Sequence, residues 1–122
     1  MTLAHRHGTA VLYCPADGPP VATPQDVLDL IGEAFGLQAD LVAVPVARLD
    51  DRFFTLSTGL AGEMAQKFVN YRLRLVVIGD IEAHLAGSAA LRAFVTETNR
   101  GRQLWFLPTA DELDARLARE AA

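Results

Sequence analysis

The chain has 122 residues, 51% of them hydrophobic and 21% charged, enough for one domain with a real core and too apolar for a disordered segment. Its formal charge of −4 argues against a general nucleic-acid binder, which must neutralise phosphates with excess Lys and Arg. The longest strongly apolar runs, residues 41–47 and 73–79, fall far short of the roughly 20 residues of a membrane span.

The start, "MTLAHRHG", lacks the apolar core of a secretory signal, and the single cysteine, Cys14, suits a reducing compartment, so a cytoplasmic protein is expected. "TLAHRH" and "TAVLYC" flank Gly8 and read as a hairpin. The stretch 14–24, with four prolines and a glycine, must be irregular. Thr23 before Pro24 is a helix N-cap, with Asp26 at the third helical position. Val27, Leu28, Ile31, Ala34 and Phe35 follow at helical spacing, and Gly36 stands where a C-terminal cap belongs.

"DLVAVPV" reads as a buried strand that frays or nears an edge at Pro45. Asp50 opens a short helical turn over "DRFF". A helix after Thr58 carries Leu60, Met64, Phe68 and Tyr71 as one apolar stripe. "RLRLVVIGD" is a strand buried on both faces, as in the centre of a parallel sheet. Asp80 then caps a helix with Ile81, Leu85, Ala89, Phe94 and Val95 facing inward. "NRG" stops it, "RQLWFLP" is the last strand, with Trp105 in the core, and "TADE" (109–112) opens the last helix as a capping box.

The order β-β-α-β-α-β-α-β-α predicts a single α/β domain over residues 1–122. Its sheet is mixed, mostly parallel, with about five strands and flanking helices.

Residues 53–108, from "FFTLSTGLAGEMAQKF" through "GRQLWFLP", closely resemble an uncharacterised bacterial family, the domain of unknown function numbered 4180. More distantly, the order of elements is similar to a STAS domain, the fold of anti-sigma-factor antagonists. There a strand leads into a loop reading Asp-Ser-Ser-Gly-Leu-Gly. Here "LSTGLAG" (56–62) falls at that loop, "LRLVVIG" at the next strand and "PTADELDARL" at the final strand-to-helix junction. The STAS likeness implies a protein-binding, regulatory module whose partner is a kinase or regulator, with a loop hydroxyl that is phosphorylated. Ser57 and Thr58 stand at the two hydroxyl positions, and Gly59 and Leu60 match directly. Leu56 replaces the acidic residue, and Ala61-Gly62 moves the second glycine by one place.

From the residues alone, Ser57 and Thr58 are either helix caps or regulatory hydroxyls, with Gly59 allowing close backbone approach. A phosphate at a helix start meets free N–H groups and the positive end of the dipole. Catalysis is not expected. Ser57 with His84 as its base lacks the G-x-S-x-G elbow, since Thr55 stands at the first glycine. The alternative is a small ligand-binding protein or enzyme using the carboxyl-edge rim of the sheet, where Asp50, Asp51, Asp80 and His84 gather. No cofactor is expected, because "STGLAG" and "GSAALR" contain no nucleotide-binding glycine pattern. No metal is expected either. His5, His7 and Cys14 share a hairpin, without the spacing of a zinc site. Arg72, Arg74, Arg100 and Arg102 precede parallel strands and should meet at one sheet edge, as solvated charge or as a basic patch for an acidic partner. Self-association as a homodimer is open, and neither nucleic acid nor membrane is expected as a partner.

Overall fold

The computed structural model describes Met1–Ala122. Strands β1 (Thr2–Arg6) and β2 (Thr9–Tyr13) form the hairpin. Its two-residue turn puts His7 at φ 51° and Gly8 at φ 84°, as a type I′ turn needs. Then follow α1 (Pro24–Gly36), β3 (Leu41–Pro45), α2 (Leu60–Asn70), β4 (Arg74–Ile78), α3 (Glu82–Ala86), α4 (Ala89–Arg100), β5 (Leu104–Leu107) and α5 (Ala110–Ala121). The five strands lie side by side in chain order. β1 is antiparallel to β2 and the rest are parallel, so the expected mixed α/β sheet is present.

Chain-order strands with right-handed crossovers send every connecting helix to the same face. Accordingly Leu12, Val42, Val44, Leu75, Val77, Leu104 and Phe106 pack under α1, α2 and α4 in one large core. The alternate residues Val11, Leu41, Ala43, Val76 and Trp105 point to the other face, where α5 alone covers them with Leu113 and Leu117. Trp105 is buried as expected. Because the strand order never reverses, the sheet has no switch-point crevice of the kind that binds ligands in doubly wound folds. No helix is long and apolar enough to cross a membrane.

Caps fix the helix starts. Thr23 Oγ1 accepts from the Asp26 N–H at 3.1 Å, and Asp26 Oδ2 accepts from the Thr23 and Ala22 N–H groups at 3.0 Å, a complete capping box. Thr109 makes only half of one, accepting from the Glu112 N–H at 3.1 Å.

Several expectations change. Gly36 is the last residue of α1, and the left-handed cap position belongs to Gln38 at φ 57°. Bonds from the Gln38 N–H to Phe35 O and from the Ala39 N–H to Ala34 O make this a Schellman end, and α2 ends the same way with Arg72 at φ 57°. The apolar spacings overreach at these ends, since Phe35 and Tyr71 stay exposed and contact each other. The helix expected after Asp80 is two helices. It breaks at Gly87, and Ser88 Oγ accepts from the Leu91 N–H at 3.0 Å to start α4. Of its five inward candidates Val95 is buried and Ile81, Leu85 and Phe94 pack partly buried against the core as expected, whereas Ala89 is exposed and Leu91 takes the buried place. Pro45 ends β3, the middle strand, beside Ile78.

Two polar side chains complete the frame. Arg48 is the one charged residue among the 32 buried ones. Its Nε donates to Pro19 O at 2.6 Å and its Nη1 to Pro15 O at 3.0 Å, lacing down the proline-rich loop. Gly18 lies over it, where a Cβ would come within 2.5 Å of the guanidinium. At the edge strand β5, Asn99 gives its amide to Phe106 O at 3.2 Å and accepts from the Phe106 N–H at 2.7 Å. That caps a stretch of backbone otherwise open for pairing.

Candidate functional site at the Ser57 loop

Past β3 the chain winds through three short 3₁₀ turns, Val46–Arg48, Asp51–Phe54 and Leu56–Thr58, before α2 begins. Phe53 and Phe54 anchor this stretch in the core, meeting edge to face with centroids 5.1 Å apart. Gly59 turns the chain into α2 at φ 79°, a conformation that side chains disfavour.

The loop separates the two hydroxyls. Thr58 Oγ1 lies 2.6 Å from Arg52 O and 2.8 Å from Thr55 O, so its one proton is held between two carbonyls. It also accepts from the Leu60 N–H at 3.3 Å, although the N-cap of α2 is Gly59 and no side chain caps the helix, so the expected cap role is not what Thr58 has. Ser57 is exposed, and its hydroxyl makes no hydrogen bond within the chain. The Ala61 and Gly62 N–H groups in the first turn of α2 are also free of backbone partners.

Ser57 lines a shallow groove of about 440 Å³ with Phe54, Thr55, Leu56, His84, Gly87, Ser88 and Ala90. The His84 ring stacks on Phe54, with centroids 4.0 Å apart and planes 13° from parallel. Ser57 and His84 therefore share a groove without a hydrogen bond between them. No carboxylate lines it.

The other rim residues are dispersed. Asp50 Oδ1 accepts from the Arg52 Nε at 2.8 Å and the Arg52 N–H at 3.0 Å. The Arg52 side-chain hydrogen bond, then the backbone one, holds the Asp50 carboxyl below its ordinary range. Asp51 is exposed and unpaired. Asp80 accepts from the Glu82 N–H at 2.9 Å and lines a separate hollow of about 230 Å³ with Ile81, Leu85 and Phe106. Ser88 and Phe54 also belong to the groove, and the sequence motifs do not point to them as site residues. Ser88 before the helical run 89–95 was a legible cap signal, whereas nothing in sequence pairs Phe54 with His84.

The basic residues are largely spent internally. Glu120 receives Arg74 at 2.9 and 3.0 Å and Arg102 at 3.0 and 3.1 Å. These guanidiniums, Arg102 foremost, pull its carboxyl down to about 2. The guanidiniums of Arg74 and Arg116 lie 4.5 and 4.1 Å from the Trp105 ring centroid. Arg100 pairs with Glu97 at 3.5 Å, which leaves Arg72 alone of the four without an ion pair.

In the hairpin, His5 lies opposite Ala10 while Thr2 lies opposite Tyr13, so Cys14 is at the far end from both histidines. His7, in the turn rather than on the strand face, sits 3.3 Å from Asp114. Cys14 is buried, and burial pushes its thiol up to about 11. No group of three His, Cys, Asp or Glu side chains is close enough to hold a metal ion.

No curated protein and no solved structure matches the chain. The model of one family, DUF4180, matches residues 6–117, almost the whole α/β domain, and the chain therefore belongs to that family, described as a domain of unknown function.

Proposed function

We propose that the chain is a non-catalytic protein-binding module acting through the loop 55–59 and the start of α2, with Ser57 the hydroxyl open to regulatory modification. The observation that carries this reading is the division of labour between neighbours. Thr58 spends its hydroxyl on the fold, whereas Ser57 presents an unengaged one on the surface. A phosphate there brings a charge of about −1.5 to −2 onto the contact surface. It would face a groove without carboxylates, so the fold tolerates it. A partner seated over the unmodified loop would have to desolvate that charge and leaves. The resemblance of "LSTGLAG" to the STAS loop supports the same mechanism, with a protein kinase or regulator as the partner.

Ser57→Asp should abolish partner retention in capture from the native cell, while Ser57→Ala retains the partner constitutively. If both variants keep the same partners as the unmodified chain, the reading fails.

A second reading is favoured by one observation: the stacked Phe54–His84 pair and the hydroxyls of Thr55, Ser57 and Ser88 line one groove. This suits a small polar ligand with a flat ring. Only a ligand of the native state raises the melting midpoint, so a thermal-shift screen separates the two readings.

A further inference from the structure

The two edges of the sheet differ in how they are closed. At β5 the Asn99 amide occupies the backbone of Phe106. β1 pairs with β2 alone, in continuous register over Thr2–Arg6, with neither a bulge nor a proline to blunt it.

The ladder identifies the groups left open on β1. The Ala10 N–H goes to Asp40 Oδ2 at 2.9 Å, and Ala10 O accepts from the Asp40 N–H at 2.8 Å, so the backbone of Ala10 faces β3. Thr9 and Val11 therefore face β1, where the register ties them to Arg6 and Ala4. Leu3 and His5 turn the other way. Their N–H and C=O groups point off the edge, and no loop of the chain bonds to them.

The side chains of Thr2, Ala4 and Arg6 lie on the α5 side of the sheet. They form one wall of a groove of about 480 Å³ whose other wall includes Asp111 and Asp114. Asp114 meets His7 at 3.3 Å. Arg6 and Asp111 are exposed, and neither forms an ion pair within the chain. They stand at opposite ends of the groove. Arg6 is beside the hairpin turn, whereas Asp111 opens α5 just past the end of β5, level with Thr2 and Tyr13.

We propose that β1 is a homodimer seam. β1 of a second copy runs antiparallel beside it, about a two-fold axis at Ala4, and joins the two sheets into one. In that register Leu3 of each copy exchanges backbone bonds with His5 of the other, so every outward group of both residues is paired. The closest approach falls on Ala4 against Ala4, where a small side chain fits. Arg6 lies opposite Thr2 of the second copy and enters that copy's groove at its Asp111 end. This charge match selects the occupant: the register that satisfies the backbone also brings the unpaired cation of each chain to the unpaired carboxylate of the other. No residue of the Ser57 groove lies on the seam, so the inference does not rest on that loop's role.

Sedimentation across a dilution series tests this. Wild type should pass from a 13.2 kDa monomer to a species of twice that mass. His5→Pro removes an N–H that only the second copy uses, and an edge strand tolerates proline there, so circular dichroism should show the fold kept. Its concentration midpoint should rise by about tenfold or more. Arg6→Glu and Asp111→Lys should each weaken the dimer alone, because each sets like charges across the seam. An equimolar mixture of these two variants should recover association close to wild type, since the mixed pair has opposite charges at both contacts. A wild type that stays monomeric throughout overturns the proposal and leaves the open edge to an extended segment of another protein. Folded His5→Pro dimerising as wild type does, or a mixture that recovers nothing, overturns it as well.

Discussion

Thr58 Oγ1 lies 2.6 Å from the carbonyl oxygen of Arg52, across the turn that delivers the chain into α2. Together with the bonds to Thr55 O and the Leu60 N–H, it makes Thr58 a structural residue on an exposed loop. Removing it should be felt by the whole fold. Thr58→Ala is expected to cost about 1–2 kcal/mol, the range for losing its hydroxyl's hydrogen bonds to the Arg52 and Thr55 carbonyls. Ser57→Ala, with no bond to lose, should fall within about 0.5 kcal/mol of wild type. Urea denaturation of the two variants checks the division directly.

The clamp of Arg74 and Arg102 on Glu120 ties the last turn of α5 to the start of β4 and to the segment leading into β5. The Glu120 carboxyl titrates lower folded than unfolded. Its contribution is therefore complete above the ordinary carboxylate range and lost as pH falls from about 4.5 towards about 2. Glu120→Gln should lower stability near neutral pH by about 1 kcal/mol, the upper range for partly exposed pairs. The difference from wild type should shrink towards zero at the acid end. Denaturation midpoints of both proteins along that pH range measure it.

Arg48 is buried and its fork is spent on two carbonyls of the proline-rich loop. Arg48→Met removes both bonds and strands the carbonyls, with an expected loss of about 2–3 kcal/mol. Arg48→Lys should recover little, since a single ammonium cannot reproduce the planar fork. Proteolysis within 14–24, followed over time, should accelerate in both variants.

At the end of α1 the conformational demand falls on Gln38 rather than Gly36. Gly36→Ala should therefore stabilise the fold by about 0.5–1 kcal/mol, as alanine does in a helix with room for its Cβ. Gln38→Gly should stabilise it by a similar amount, by relieving a left-handed residue. A loss of stability in dilute Gly36→Ala would contradict this account of the cap.

The sheet was legible because its strands are strong local signals. A run such as "LVVI" (75–78) is apolar at every position, and the structure packs it into a core on each face of the sheet. The order of elements followed from that alternation and from crossover handedness. Helix ends were less legible. Glycine at 36 looks like a cap, yet it is the last helical residue of α1 and the left-handed position falls two residues on, at Gln38. The apolar character of Phe35 and Tyr71 argued for burial, because spacing records polarity but not where a helix runs out from under its neighbour. At the site, "LSTG" placed two hydroxyls before a helix and could not divide their roles. That division depends on the Arg52 carbonyl, six residues back, folding under Thr58. The pairing of Phe54 with His84 joins residues thirty apart and has no local signature.

The proposed function places the regulatory hydroxyl on Ser57 and not on Thr58. The most direct measurement is site-resolved peptide mass mapping of the chain recovered from its native cells with phosphatases inhibited. The predicted result is a single phosphate on Ser57, with a bound protein present only on the unmodified fraction. Phosphate on Thr58 with Ser57 untouched, or an unmodified chain under every growth condition, would contradict it.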